Sequence, residues 1–338
     1  MVAENDPRDV LPPRQTREVI ELVNYVSLGG TLSVFGIATN VINMAVFYKQ
    51  GLQSTTNIGF FGLAVSDLCV LLTLLDFALL LNPLVEYSDI QVNTREVQYL
   101  LAGWPHVCFT RTTCLIMAYV TAERCICITF PLTVKQMITP RRTTFIMCFI
   151  FIISILMVLP EFVTTYFDWK VHHMTNTSSI RLIGIYFTSN RKDIDSFSFL
   201  MNGLMGIFSL LLVIVFTSVL VWKLKNSSEW RKHHKLELAE TKSTRDKKAM
   251  KMVLLISSIL IVCSVPNILV STTSICVEGI SIIGYYQNLF YVLWSFAFVF
   301  GAINSSINIF LYYKMSSKYR LTFHAIFCQS VTIKINRK

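Results

Sequence analysis

Seven long apolar stretches alternate with short polar segments along this chain. Each stretch comes close to the roughly 20 apolar residues that an α-helix needs to cross a bilayer. The polar segments between them are too short to hold a soluble domain. The pattern therefore predicts an all-α membrane protein built as a seven-transmembrane helix bundle. The predicted spans are Asn24–Tyr48, Ile58–Leu81, Ala102–Phe130, Thr144–Phe167, Ser196–Trp222, Met250–Cys276 and Asn288–Tyr313.

The chain continues on both sides of the predicted bundle. Residues 1–23 are predicted to form an extracellular N-terminal tail, residues 24–313 the seven-transmembrane domain, and residues 314–338 a cytoplasmic helix and tail. Apolar side chains stand among basic ones over Lys314–Phe327, which is typical of a short amphipathic helix that lies on membrane lipids. Cys328 follows and is a candidate for palmitoylation, the alternative being a disordered basic tail with an unmodified Cys.

Charge gives the predicted bundle a direction. Charged residues are 15% of the chain, against about 25% in soluble domains, which supports a bilayer as the solvent. A net charge of +10 would indicate nucleic acid as the partner of a soluble protein, but the positive charge here is segregated by loop. Of the Lys and Arg residues, 21 fall on one side of the bundle and 8 on the other. Cytoplasmic loops carry such an excess, so the N-terminus is predicted outside, the C-terminus inside, and no nucleic acid as a partner.

Signals for other kinds of site are sparse. The sequon Asn176-Thr177-Ser178 lies in the largest external loop, where the predicted topology allows glycosylation of Asn176. The nine cysteines show no metal-ligand spacing, so no metal site is predicted. No Ser/His/Asp or Cys/His group is arranged for catalysis in a soluble pocket. The chain is therefore not expected to be an enzyme.

Charged residues at the end of the third span carry a resemblance to a known family. Glu123-Arg124-Cys125, followed by Pro131-Leu132, resembles the Asp/Glu-Arg-Tyr motif and Pro-Leu of the rhodopsin-like G-protein-coupled receptors. The resemblance implies that Glu123 holds Arg124 in the resting state and releases it when a heterotrimeric G protein docks. It also implies a second acid twenty residues before the proline of the sixth span, which is Asp246. An ion pair between Arg124 and Asp246 would be a breakable two-state contact.

Polar residues in the second and seventh spans extend the resemblance, and such residues are costly in a bilayer. Leu63-Ala64-Val65-Ser66-Asp67-Leu68 matches the family's Leu-Ala-x-x-Asp-Leu, and Asn304-Ser305-Ser306-Ile307-Asn308-Ile309-Phe310-Leu311-Tyr312 looks like its Asn-Ser-x-x-Asn-Pro-x-x-Tyr. The resemblance implies a sodium pocket at Asp67, because oxygen ligands around a carboxylate suit a hard cation. The alternative is a hydrogen-bond network with water and no ion. The other members of the predicted cluster are Asn40, Thr113, Asn304, Ser305 and Asn308.

The chain departs from the family pattern at several places. The sixth span has Cys263-Ser264-Val265-Pro266 where the family has Cys-Trp-x-Pro, so Pro266 is expected to kink the helix without the aromatic switch. Tyr99 stands where the family has the Cys of its external disulfide. The loop that would supply the partner, Glu161–Ser198, contains no Cys either. No disulfide is therefore expected at this position.

The outer half of the predicted bundle offers candidate ligand contacts. Amine receptors of the family hold the ligand with an Asp eighteen residues before the Arg; His106 stands there, which disfavours an amine. Arg111 lies inside the third span, where a charge costs roughly 2.5–3.5 kcal/mol on insertion scales. It either pairs with an acid, for which Asp76 is the natural choice, or meets an anionic ligand. Tyr291 and Trp294 are further candidates for the pocket.

Two runs of residues in the third span resemble particular subgroups of the family. Trp104-Pro105-His106-Val107-Cys108 and the run from Glu123 to Leu132 are similar to molluscan chemosensory receptors and to FMRFamide-receptor-like proteins. This implies a plasma-membrane receptor that transduces a chemosensory small molecule to a heterotrimeric G protein. An FMRFamide-like neuropeptide receptor is the alternative. A transporter or channel would be a different class, and it predicts inverted repeats or broken helices. A receptor that no longer couples is a further option, because Ser264 and Ile309 replace family residues.

Overall fold

A computed structural model describes residues 12–86, 91–130, 133–173, 179–188, 191–233, 240–277, 279–280 and 284–327. Within these ranges the chain forms seven helices that are long and apolar enough to cross a membrane, which confirms the predicted bundle. The seven helices are Arg14–Gln50, Thr55–Leu80, Glu96–Thr129, Pro140–Val163, Arg191–His233, Glu240–Cys276 and Gln287–Met315.

Several helices continue beyond the bounds that hydropathy predicted. The first span was predicted to begin at Asn24, but helix begins at Arg14 and passes through a π-helical stretch, Leu22–Gly29. The fifth span reaches His233. Apolar runs mark only the part of a helix that lies in hydrocarbon. The polar residues beyond them form helix because every backbone group is still paired within the helix.

The third span has a segmented beginning. A short helix, Thr94–Gln98, is capped by the Asn93 side chain, which accepts a hydrogen bond from the Glu96 amide. A π-helical turn, Tyr99–Gly103, then leads into the regular helix Trp104–Thr129. The helix therefore begins well before the predicted start at Ala102. Two further single-turn helices, Pro83–Glu86 and Val134–Met137, lie in loops.

A β-hairpin lies between the fourth and fifth spans. Strand β1, Thr165–His173, pairs antiparallel with strand β2, Ser179–Phe187. The predicted fourth span, which ended at Phe167, was wrong at this end, because the helix stops at Val163. Alternating residues of β1 point to opposite faces, whereas the prediction had followed the apolar residues alone. Asn176 lies outside the described residues.

The C-terminal helix, Ser317–Phe327, follows the seventh span after a single residue. Tyr319 is buried and its ring lies 5.6 Å from that of Phe47 in the first span. Leu321 is 73% exposed. One face of the helix is therefore packed on the bundle while another is exposed, as the amphipathic pattern predicts. Cys328 lies outside the described residues.

The first, second and seventh spans approach closely at Gly36. A Cβ atom added there would collide with Ser306 Oγ and would lie 2.6 Å from Leu71 Cδ1. Only a glycine allows this approach without a shift of the neighbours. The close contact brings the polar residues of the three spans together in the middle of the bundle.

Candidate functional site

Asp67 is completely buried in the second span and accepts three hydrogen bonds. Thr113 Oγ1 donates to Asp67 Oδ1 at 3.1 Å, and Ser305 Oγ donates to the same oxygen at 3.0 Å. Asn308 Nδ2 donates to Asp67 Oδ2 at 2.8 Å. The structure thus brings together one carboxylate and three polar side chains that the sequence predicted to meet, from the second, third and seventh spans.

The polar cluster reaches the first span through Asn40. Asn40 Nδ2 donates to the backbone oxygens of Ser305 at 2.7 Å and Gly36 at 2.9 Å. Asn304 was predicted to belong to the cluster and is buried, but makes no hydrogen bond to Asp67 in the described part of the chain. It therefore lies beside the cluster and not in it.

Residues that the sequence reasoning missed complete the cluster. Ser66 Oγ lies 2.9 Å from Thr113 Oγ1 and donates to the Phe109 backbone oxygen at 2.9 Å. Asn43 Nδ2 donates to Asn40 Oδ1 at 3.4 Å. A signal was available for both, because Ser66 adjoins Asp67 in the quoted motif and Asn43 follows Asn40 by three residues, on the same helix face.

A hard cation would find suitable atoms at Asp67. Its Oδ1 atom lies within 3.0–3.1 Å of two hydroxyl oxygens, those of Thr113 and Ser305. Hydroxyl groups rotate, so they can donate to the carboxylate or present lone pairs to an ion. The donor set is all oxygen, which fits a sodium ion.

A second polar group surrounds Arg124 at the end of the third span. Arg124 Nη2 donates to Glu123 Oε1 at 2.9 Å and also to Thr56 Oγ1. Thr55 Oγ1 donates to the same Glu123 oxygen. The Glu123 side chain is buried. The pair is therefore fixed against the beginning of the second span.

The structure describes the other residues predicted at this end of the bundle only in part. Asp246 belongs to the sixth helix, Glu240–Cys276, but its side chain lies outside what the structure describes, so the pair with Arg124 stays a prediction. Pro131 and Leu132 also lie outside the described residues. Tyr312 is buried, with its ring centroid 5.0 Å from Phe47 and 5.1 Å from Phe60.

Pro266 lies inside the sixth helix, where its ring removes one backbone hydrogen bond. The kink expected there stays a prediction. Ser264, which stands at the position of the family's aromatic switch, lies near Cys114 of the third span. The sixth span thus presents a small polar side chain to the third span where the family has a large ring.

His106 and Trp294, two predicted ligand contacts, meet through Phe298. The His106 ring lies 4.2 Å from the Phe298 ring, and its Nδ1 atom is 3.1 Å from Thr73 Oγ1. The Trp294 ring lies 5.7 Å from Phe298. Tyr291 sits further out, beneath the Arg17 guanidinium at 5.4 Å. These residues line the interior between the second, third and seventh spans.

The predicted pair of Arg111 with Asp76 was wrong. Arg111 is 4% exposed and donates from Nη1 to Asn202 Oδ1 of the fifth span. Asp76 is exposed on the second span, and no ion pair joins it to Arg111. A neutral amide oxygen also accepts hydrogen bonds from a guanidinium, so Asn202 takes the place of the expected acid. Asp76 therefore does not line the interior of the candidate pocket.

Non-covalent contacts hold the hairpin against the beginning of the third span. Glu96 Oε2 accepts hydrogen bonds from Lys170 Nζ at 2.6 Å and from the Ile185 amide at 2.9 Å. Backbone bonds also join Asn93 and Gln91 to Ile183, each at 2.9 Å. All eight cysteines of the described residues are unpaired. Glu96 thus ties the hairpin to the third span, where the family resemblance would place a disulfide.

Comparison with known proteins agrees with this arrangement. The family description "7 transmembrane receptor (rhodopsin family)" matches residues 39–312, which include Asp67, the Glu123–Arg124 pair and Tyr312. The histamine H2 receptor of Cavia porcellus is 23% identical over 288 residues, which cover 85% of this chain and 74% of that receptor. Members of the family are multi-pass membrane receptors without enzymatic activity, which bind an extracellular ligand and couple to a G protein. The chain belongs to the rhodopsin family of seven-transmembrane receptors.

Proposed function

We propose that this chain is a plasma-membrane receptor that transduces a chemosensory small molecule to a heterotrimeric G protein. The observation that carries the proposal is the 2.9 Å ion pair of Arg124 with the buried Glu123 at the end of the third span. Thr55 and Thr56 tie this pair to the second span. Such a pair holds the bundle closed until a ligand favours the open state. A ligand shifts this balance only by its differential affinity for the two states.

The proposed orientation puts the Arg124 end in the cytoplasm and the N-terminus outside. Lys318 Nζ, in the C-terminal helix, reaches the Gln50 backbone oxygen, so the C-terminal helix lies at the same end of the bundle as the first loop. Thr55 and Thr56 bring Arg124 to that end as well. Most Lys and Arg residues belong to this side, and basic loops stay in the cytoplasm.

A small ligand is favoured over a peptide by the outer end of the first span. Its first turns pack on the seventh span, where Arg17 Nη1 donates to Asn288 Oδ1 at 2.9 Å and lies over Tyr291. Asn288 Nδ2 also donates to the Pro12 backbone oxygen at 3.1 Å. These contacts cover part of the entrance that an extended peptide would need. An FMRFamide-like peptide is the alternative ligand, and a transported solute belongs to a different class.

An amine ligand is disfavoured, although the relative from Cavia porcellus is named for histamine. Amine receptors of the family use a carboxylate at the position of His106. Here that side chain is buried, bonded to Thr73 and packed on Phe298. It supplies no negative charge to hold an ammonium group.

Additional partners follow from the sequence and belong to the same proposal. Sodium would bind at Asp67 with Thr113 and Ser305 as oxygen ligands. Lipid headgroups would meet the basic C-terminal helix. Glycosylation of Asn176 and palmitoylation of Cys328 complete the expected membrane form.

The experiment is a nucleotide-exchange assay on purified receptor with a heterotrimeric G protein in lipid nanodiscs. Glu123→Gln should raise basal exchange, because it removes the charge that holds Arg124. Arg124→Ala should abolish exchange, and Arg142→Ala, an exposed arginine outside this pair, serves as the matched control. Exchange that is unchanged by Arg124→Ala, or solute flux through reconstituted receptor, would contradict the proposal.

A further inference from the structure

We propose that one edge of the Arg111 guanidinium binds a carboxylate group of the ligand, so that the ligands are small organic acids. This inference rests on the proposed receptor function, since it names the ligand class for that same interior. The juxtaposition behind it is a buried guanidinium with one nitrogen bonded to Asn202 and two nitrogens that have no hydrogen-bond partner among the described residues.

Burial makes Arg111 a costly residue that requires a compensating group. It lies inside the third span and is 4% exposed. No acid lies within ion-pair distance of it in the part of the chain that the structure describes, and Asp76 is exposed. A guanidinium keeps its charge in proteins. The contact with Asn202 compensates for only a part of the lost hydration, because the amide oxygen is neutral.

The geometry of the unpartnered atoms points to a carboxylate. Nη1 donates to Asn202, whereas Nε and Nη2 are buried and find no partner in the part of the chain that the structure describes. The N–H bonds of Nε and Nη2 leave the guanidinium in parallel along the same edge. This edge matches the two oxygens of a carboxylate, which bind an arginine through two parallel hydrogen bonds. A neutral ligand would leave the charge uncompensated.

The surroundings hold Arg111 in this orientation. Asn202 Nδ2 donates to the Ser198 backbone oxygen at 2.7 Å and to the Met157 backbone oxygen at 3.5 Å. Both bonds fix the amide, so that its oxygen faces Arg111. The free edge of the guanidinium therefore keeps a defined direction, and a ligand need not order it first.

A further polar group lies on the same helix as Asn202. The Ser198 hydroxyl, one turn from Asn202, is buried without a hydrogen-bond partner among the described residues. It offers a third donor or acceptor to a ligand. One cation balances one negative charge, which favours a monocarboxylate.

The first test uses the unaltered receptor and needs no variant. Acetate, butyrate, lactate, benzoate and phenylacetate are each compared with the matched methyl ester. The readouts are ligand-dependent thermal stabilisation of purified receptor and nucleotide exchange on a G protein. We expect at least one acid to bind about tenfold or more tightly than its ester. Failure of every acid to bind, or equal binding of acid and ester, would overturn the proposal.

Variants of Arg111 then locate the binding edge. Arg111→Lys keeps the charge but loses the fork, and should weaken acid binding by about tenfold. Arg111→Gln removes the charge and should weaken it by about 30-fold or more. Arg14→Gln makes the same change at an exposed arginine, and should leave acid binding unaltered. Retained acid affinity in Arg111→Gln would overturn the assignment.

The two readouts separate this proposal from the receptor function. Thermal stabilisation reports acid binding even when no exchange is measured. If Glu123→Gln changes basal exchange but no acid stabilises the receptor, the carboxylate site is refuted. The proposed receptor function is not affected by that result. Acid-specific stabilisation without exchange would support the site and count against coupling to a G protein.

Discussion

The Tyr319 hydroxyl donates a 2.6 Å hydrogen bond to Asn43 Oδ1, which joins the C-terminal helix to the first span inside the bundle. Asn43 in turn donates to Asn40, whose amide donates to the Ser305 backbone oxygen. Ser305 donates to Asp67. A continuous series of hydrogen bonds therefore runs from the middle of the bundle to the C-terminal helix.

Tyr319→Phe should loosen the C-terminal helix while leaving its ring contacts in place. The variant removes one donor and leaves Asn43 Oδ1 without it, at a cost of about 1 kcal/mol. Amide hydrogen exchange over Ser317–Phe327 should accelerate in the variant. The matched control is Tyr313→Phe, which removes an exposed hydroxyl bonded to His324. Equal exchange rates in the two variants would contradict the role assigned to the buried bond.

The same contact should survive at physiological pH and fail only in strong alkali. Burial raises the pKa of the Tyr319 hydroxyl above its usual value. A raised pKa favours the neutral form in the folded state, so its stabilising effect is complete below about pH 10, the pKa of an unfolded tyrosine. It declines as the pH rises from there towards the folded pKa. Amide hydrogen exchange of the C-terminal helix, once corrected for intrinsic exchange rates, should therefore not change between pH 7 and 9.

Sodium should stabilise the receptor through Asp67. Replacing choline chloride by sodium chloride should raise the melting temperature, and Asp67→Asn should abolish the difference. At a sodium concentration tenfold above the dissociation constant, the expected gain is about 1.4 kcal/mol. Asp76→Asn, a change of an exposed acid on the same span, is the control and should keep the sodium effect. A sodium effect that persists in Asp67→Asn would refute the ion site.

Gly36 should not tolerate a side chain. Gly36→Ala places a methyl group against the Ser306 and Leu71 side chains, which must move to make room for it. Overpacking of this kind costs about 1–3 kcal/mol. Gly206→Ala, where the added Cβ meets nothing within 4 Å, is the matched control and should be neutral or slightly stabilising. Thermal unfolding in nanodiscs measures both, and equal stability of the two variants would contradict the close packing.

Glu96→Gln should release the hairpin without unfolding the bundle. The substitution removes the ion pair with Lys170, both partners being partly exposed, so the loss of global stability should stay below about 1 kcal/mol. The effect should be local. Amide exchange should accelerate over β2 but not within the helix Trp104–Thr129. Asp168→Asn, in the same hairpin, removes a charge that makes no described ion pair and serves as the control.

The sequence predicted the bundle and most of its polar centre for two different physical reasons. A bilayer demands about 20 apolar residues per crossing, so the seven helices were visible in hydropathy. The cluster of Asp67, Thr113, Ser305 and Asn308 was predictable because polar residues in a span need partners. Its extension to Tyr319 was not, because that contact depends on how the C-terminal helix docks.

Other features could not be predicted from opposite charges or from long apolar runs. Arg111 was expected to find an acid and instead found the amide of Asn202. The helix that begins at Arg14 is polar, so no apolar run marked it. The hairpin Thr165–Phe187 carries its signal in alternation, a pattern that a search for spans passes over. Each depends on tertiary packing.

The contacts of Glu96 make the attachment of the hairpin to the third span reversible. The contacts of Lys170, Ile185 and Ile183 break and re-form on the timescale of loop motion, whereas a disulfide does not. Reductants such as dithiothreitol should therefore leave the loop in place. Ionic strength should act on it instead, because salt screens partly exposed ion pairs within about 8 Å at physiological concentration. The salt concentration would thus decide how firmly this loop is held, whereas the redox potential would decide it for a disulfide-bonded loop.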